Sequence, residues 1–174
     1  RNSRTCLTTT AVASDPPLND TCAAAVMIGP GTWAFGNVGA TTEGPAACAS
    51  AGADIWYFFD AAYDGTVTVS TCGSHDVTGF DSILNVYTGF CGSFTEVACN
   101  DDNTGQCGGQ DTGTLRDSWL QFTMVRGTRY FIRLSGFSGG TGTGFINFSQ
   151  SSCINPPNDS CANAISVTDG SYAF

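Results

Sequence analysis

Asp64-Gly65-Thr66-Val67-Thr68-Val69-Ser70 is the stretch on which the fold of this chain turns. Asp-Gly is a turn pair. The five residues after it alternate between hydroxyl and β-branched apolar side chains, the period-2 signature of a half-buried strand. Working outward, Arg129-Tyr130-Phe131-Ile132-Arg133-Leu134 alternates in the same way after Arg126-Gly127. Similar runs, bounded by Gly, Asp and Asn, predict strands near 32–38, 55–60, 66–71, 82–87, 94–98, 118–124, 129–135 and 143–149. Only 20–27 offers a helical turn, with Asp20 or Thr21 as the N-cap before Cys-Ala-Ala-Ala. About eight short strands predict an all-β chain, a jelly-roll-like β-sandwich rather than a closed barrel.

The chain also repeats itself. Pro16-Pro17-Leu18-Asn19-Asp20-Thr21-Cys22 and the residues up to Trp33-Ala34-Phe35 return as Pro156-Pro157-Asn158-Asp159-Ser160-Cys161 up to Tyr172-Ala173-Phe174. With one gap at Leu18, ten of nineteen positions are identical, and Cys161 follows Cys22 by 139 residues. That period is the length of one domain. We therefore divide the chain into a polar lead-in (1–14), a β-sandwich (15–152) and the opening of a second repeat (153–174). The last segment carries an extra C-terminal strand, Ser171-Tyr172-Ala173-Phe174, available for linking or strand donation.

Composition narrows the function. Charged residues make up 12% of the chain and the net charge is −9. A phosphate-binding surface needs cations that this chain lacks, which argues against nucleic acid. Acidic membrane surfaces are disfavoured for the same reason. No apolar run approaches the length of a transmembrane span, so membrane insertion is not expected. Nine cysteines without Cys-x-x-Cys units, beside the single histidine His75, point to disulfides rather than zinc. The expectation is an exported protein, extracellular or at the cell surface, read in its mature form with the leader removed.

Connectivity is open from sequence. Position along the chain suggests Cys72 with Cys91, Cys99 with Cys107, Cys22 with Cys48, and Cys6 with Cys153. Nine is odd, and in this scheme Cys161, the repeat of Cys22, is left over. Its mate is then a Cys48 equivalent on another molecule or farther along a longer chain. The alternative is a free buried thiol.

Several ordered segments carry a family likeness. Asn19-Asp20, Ala53-Asp54-Ile55-Trp56-Tyr57-Phe58-Phe59, Gly65-Thr66-Val67-Thr68-Val69 and Phe80-Asp81-Ser82-Ile83-Leu84-Asn85-Val86-Tyr87 come first. Asn100-Asp101-Asp102-Asn103, the run 127–139 and Gly144-Phe145-Ile146-Asn147-Phe148 follow. In this order, over roughly 15–149, the chain resembles the bacterial pre-peptidase C-terminal domain. It also resembles the cysteine-rich tandem forms of large secreted proteins, whose units open with Pro-Pro-Asn-Asp-x-Cys. The resemblance implies a secreted, non-catalytic β-sandwich that assists adhesion, substrate binding or surface assembly, in a family that often binds calcium. The chain departs from the common accessory form in its many cysteines and in lacking an attached peptidase.

Candidate sites follow. Asp101, Asp102 and Asn103 place hard oxygen ligands in one loop with Gly105 to turn it, although no bidentate glutamate follows at the EF-hand distance. Asp81 and Asp54 stand at strand starts where the family places acidic residues. Calcium held by these five is the cofactor expectation, against simple turn chemistry. Gly136-Phe137-Ser138-Gly139-Gly140 satisfies Gly-x-Ser-x-Gly, but a flexible turn into another strand follows where a nucleophile elbow needs a helix. No catalytic residue is assigned, and the chain is read as non-enzymatic. Trp33, Trp56 and Trp119 are read mainly as core, with one of Trp119 and Leu120 facing outward. Asn19, Asn147 and Asn158 fit the glycan-acceptor pattern, but two of the three belong to the repeated Asn-Asp motif, and the plain reading as motif residues is favoured.

Two functions result. One is a subunit of a filament or surface fibre, a homopolymer joined head to tail through Cys161 and Ser171–Phe174 by strand addition and disulfides. The other is a calcium-dependent module that binds carbohydrate or matrix, or a fragment of a large tandem-repeat adhesin.

Overall fold

The alternation in 66–70 resolves as read: Val67 and Val69 are fully buried, while Thr66 and Thr68 look outward. The computed structural model describes residues 15–45, 48–108 and 116–152. Cys6, Cys153, Asn158, Cys161 and Ser171–Phe174 lie outside the described residues, with the lead-in and the second repeat. Nine strands are described: β1 (Val26–Met27), β2 (Gly31–Gly36), β3 (Ala51–Asp60), β4 (Gly65–Ser70), β5 (Ser82–Phe90), β6 (Ser93–Asn100), β7 (Trp119–Met124), β8 (Arg129–Phe137) and β9 (Thr143–Ser152). A helical turn, α1 (Ser74–Thr78), joins β4 to β5.

Strands β1-β3-β8-β5-β6 form a five-stranded sheet and β2-β9-β4-β7 a four-stranded one. The antiparallel pairs β2·β9, β3·β8, β4·β7 and β5·β6 are nested like one long hairpin rolled over itself, which is the jelly roll. Only β1 is added outside this plan, running parallel to β3. It replaces most of the helix expected over 20–27. Helical structure there is confined to a 3-10 turn at Cys22–Ala24, whose N-cap Thr21 makes no side-chain cap bond.

Between the sheets Ile55, Tyr57, Phe59, Leu84, Val86, Ile132 and Leu134 meet Val67, Val69, Leu120, Phe122, Met124, Ile146 and Phe148. Phe59 organises this core, stacked on Tyr130 at 5.1 Å and close to Phe122 and Phe148. Leu120 faces in, and its neighbour Trp119 takes the outward side, half-buried.

The five-stranded sheet is buried on its other face too. Trp56, Tyr87, Phe131 and Cys22 form a second cluster there, with Phe58 and Phe94 against it. Trp56 stacks on Phe94 at 5.3 Å. This outer cluster lies under a strap, residues 37–45 and 48–50. At Gly44 the strap passes so close that a Cβ would stand 2.8 Å from the Trp56 ring, on a backbone with φ of +100°. Glycine is required there on both counts.

Among the described residues three disulfides are formed: Cys22–Cys91, Cys48–Cys99 and Cys72–Cys107. The same six cysteines are used as the sequence suggested, but all three pairings differ from Cys22–Cys48, Cys72–Cys91 and Cys99–Cys107. The roll-up is the reason. It brings the β5–β6 turn, which carries Cys91, to the N-terminal segment, and lays the strap with Cys48 across β6, which carries Cys99.

Candidate functional site

Two constellations bear on function, and the first is the repeated motif itself. Main chain and side chain of Asn19 both bind β3: Trp56 N–H donates to the Asn19 carbonyl at 2.8 Å, and Asn19 Nδ2 donates to the Trp56 carbonyl at 3.0 Å. The Asp20 carboxylate accepts from Thr41 N–H at 2.6 Å and from Thr41 Oγ1 at 3.0 Å. Cys22 N–H donates to Glu43 Oε2 at 2.7 Å, and its sulfur is bonded to Cys91. The motif is thus a brace that covers the edge of β3, ties down the strap and locks to the β5–β6 turn. Edge strands left bare invite uncontrolled pairing, and this one is closed.

Under the strap sits a buried ion pair. Asp54 Oδ2 accepts from Arg133 Nη2 at 2.6 Å and from Nε at 3.0 Å, and both side chains are essentially inaccessible. Glu43 N–H and Trp56 Nε1 also donate to the Asp54 carboxylate, at 2.9 Å each. Arg133 Nη1 reaches the Pro45 carbonyl at 2.9 Å. Burial pushes the Asp54 carboxyl up from its ordinary value, and the guanidinium pulls it back. The sequence reading placed Asp54 among calcium ligands. The structure gives it to Arg133 instead.

The second constellation is acidic. One carboxylate oxygen from each of Asp81, Asp101 and Asp102 lies within 4.8 Å of the others. They line a cleft of about 280 Å³ with Arg116 and Phe137. Arg116 Nη1 donates to Asp81 Oδ2 at 2.7 Å, on the solvent side. Asp101 Oδ1 is buried and has no hydrogen-bond partner. Burial and the charges of Asp102 and Asp81 raise the Asp101 pKa to about 6. Asn103, the remaining expected ligand, is buried and holds the turn: its Nδ2 donates to the Asp117 carbonyl at 3.0 Å and its Oδ1 accepts from Gly105 N–H at 2.8 Å. A calcium ion takes six to eight oxygens. Three carboxylates, one of them already facing Arg116, fit a hydrated and loosely held cation, and the orphaned Asp101 oxygen is the group that would gain most from it.

Sequence reasoning missed Asp117. Its buried carboxylate accepts from Gly73 N–H at 2.7 Å and from His75 N–H at 2.9 Å, fixing the start of α1 beside Cys72. Standing alone just before the strand 118–124, it gave no periodic signal. The Gly-x-Ser-x-Gly stretch runs from the end of β8 into the β8–β9 turn, where Ser138 N–H donates to the Ser50 carbonyl and strand β9 follows. His75 Nδ1 lies 3.3 Å from the Phe80 carbonyl. Asn19 and Asn147 both use their Nδ2 on main-chain carbonyls, of Trp56 and Cys72 respectively, which does not suit glycan attachment.

No protein-family model matches the chain, and no curated protein matches it. Among solved structures it is similar to the pre-peptidase C-terminal domain of collagenase from Bacillus anthracis, with 14% sequence identity and a TM-score of 0.46. That likeness covers 72% of this chain and 94% of the collagenase domain. Among the described residues no helix is long and apolar enough to cross a membrane.

Proposed function

We propose that this chain is a non-enzymatic structural unit of an extracellular fibre or surface array, joined to the next unit through its second brace, 156–174. The observation that carries the reading is what the first brace does. Asn19 bonds to the edge of β3, Asp20 to the strap and Cys22 covalently to the β5–β6 turn, and all three recur as Asn158, Asp159 and Cys161. A segment that repeats these residues repeats the means to close such an edge. Because Cys22 pairs with Cys91, the mate of Cys161 is a Cys91 equivalent in the adjacent unit, not the Cys48 equivalent expected from sequence. Three disulfides among the described residues suit an oxidising, extracellular setting. In this reading Asp81, Asp101 and Asp102 hold a calcium ion weakly, relieving their mutual repulsion.

The test is a denaturing gel of native, unreduced material beside a reduced sample, with Cys161→Ser and Asn158→Ala/Asp159→Ala variants. A ladder above the 18 kDa unit that collapses on reduction, and is lost in both variants, is the expected result. Polymers that form equally well in both variants would refute the role of the second brace.

A further inference from the structure

The two sheets treat their outer faces in opposite ways, and the open one has the chemistry of a binding platform. On the four-stranded sheet the outward side chains fall into rows across the strands. Thr32, Asn147, Ser70 and Trp119 stand in register across β2, β9, β4 and β7. Ser149, Thr68 and Gln121 form the next row, and Ser151, Thr66 and Thr123 the one after. Rows are spaced by ~7 Å along the strands and strands by ~4.8 Å. An open cleft of about 420 Å³ runs along this face between Thr32, Thr68, Ser70, Asn147 and Ser149.

None of the row residues is charged, in a chain carrying fifteen acidic side chains. The groups are hydroxyls and amides, several held sideways by one another: Thr32 Oγ1 donates to Asn147 Oδ1 at 2.7 Å, and Gln121 Nε2 donates to Thr68 Oγ1 at 3.1 Å. Each keeps donor or acceptor capacity for a ligand. Trp119 at one corner and the exposed Phe145, next along β9 from Asn147, frame the rows with aromatic surface.

We infer that this face binds a neutral polysaccharide chain laid across the strands, with Thr32, Thr68, Gln121, Asn147 and Ser149 hydrogen-bonding its hydroxyls and Trp119 lying against a ring. Charge decides the occupant. A polyanion would meet no cation among the row residues, and a basic partner would find no carboxylate, whereas a polyhydroxylated neutral chain matches their uncharged donors and acceptors in kind. An apolar protein partner would strand those groups without hydrogen bonds. The inference is independent of the fibre reading, since it uses a sheet face and not the braces.

The experiment is a pull-down of the full chain on microcrystalline cellulose, chitin, starch granules and alginate coupled to polystyrene beads in calcium-free buffer, with Thr68→Arg and Ser149→Arg as variants. Both sites are solvent-facing, and unchanged thermal melts confirm that the variants fold; Gln121→Ala, which adds no bulk, serves as a third. Retention on at least one neutral polysaccharide, unaffected by high salt and reduced at least about tenfold by either arginine, is the expected result. Retention on none of the neutral polymers, binding only to alginate, loss of binding in salt, or arginine variants that bind like the parent would each overturn it. The disulfide ladder of the same variants reports separately on the fibre.

Discussion

Replacing Arg133 with Met tests the physical core of this structure. Arg133 is 2% exposed and its carboxylate partner under the strap, Asp54, is fully buried. The substitution keeps most of the side-chain volume beneath the strap and removes two donors to Asp54 and one to the Pro45 carbonyl. Breaking a buried pair from one side costs about 3–5 kcal/mol, because the remaining charge stays desolvated. For a domain of this size that corresponds to a fall in Tm of about 10–20 °C. Urea unfolding at neutral pH measures it directly, and a cycle with Asp54→Asn isolates the pair: the double variant should lose at least about 2 kcal/mol less than the two singles together. A second readout separates charge from packing. Without the guanidinium the Asp54 carboxyl is pushed up further by burial, so Arg133→Met is hurt most where Asp54 is ionised. Its deficit against the parent narrows as pH falls and Asp54 takes up a proton. A loss under about 1 kcal/mol, or a deficit indifferent to pH, would refute the view that this ion pair anchors the strap.

Further predictions concern the disulfides and the acidic cleft. Non-reducing digestion and mass spectrometry should find Cys22–Cys91, Cys48–Cys99 and Cys72–Cys107; removing Cys48–Cys99 as a pair of serines should lower stability by ~4 kcal/mol at most on loop entropy and free the strap to proteolysis. Asp101→Asn should stabilise the calcium-free protein at pH 7 and above, by roughly 1 kcal/mol or less once solvent screening is allowed for. A carboxyl whose folded-state pKa is raised to about 6 opposes folding while ionised, so the parent gains stability as pH falls through 6 towards its unfolded value, and the advantage of the variant vanishes there. If calcium binds, it raises the parent's Tm and not the variant's; equal response of both to calcium would remove the metal from this cleft.

Strand positions were legible because period-2 alternation reports burial on one face, and all eight expected strands are found. Their partners were not legible, since alternation says nothing about which strand lies beside which. That gap explains the disulfides. Closeness along the chain favoured Cys72–Cys91 around one hairpin, whereas the roll-up sends Cys72 towards Cys107 and Cys91 back to the brace. Asp54 was misread for a related reason. Ile55-Trp56-Tyr57-Phe58-Phe59 is apolar on both parities, the mark of a strand covered on both faces. Within such a strand pair an aspartate and Arg133, flanked by Ile132 and Leu134, each need a buried counter-charge. That signal was present in the sequence and points to an ion pair rather than a metal ligand. Asp101 and Asp102, by contrast, stand in the acidic loop where the residues placed them, and Asp81 joins them across the sheet end.

The asymmetry between the outer faces has a consequence for assembly. On the five-stranded sheet, aromatics, an ion pair and two disulfides lie under and around the strap on the outer face. On the four-stranded sheet nothing among the described residues covers the rows of Thr, Ser, Asn and Gln. A unit built this way can be joined to its neighbours at strand edges and turns, where the brace acts, while keeping one flat, uncharged face turned outward. If units repeat along a fibre with the braces setting a fixed rotation between them, those faces recur at a fixed spacing. Binding to a polymeric ligand would then rise far more steeply with fibre length than the modest affinity of one face implies, because each added unit engages at the effective concentration set by its neighbour.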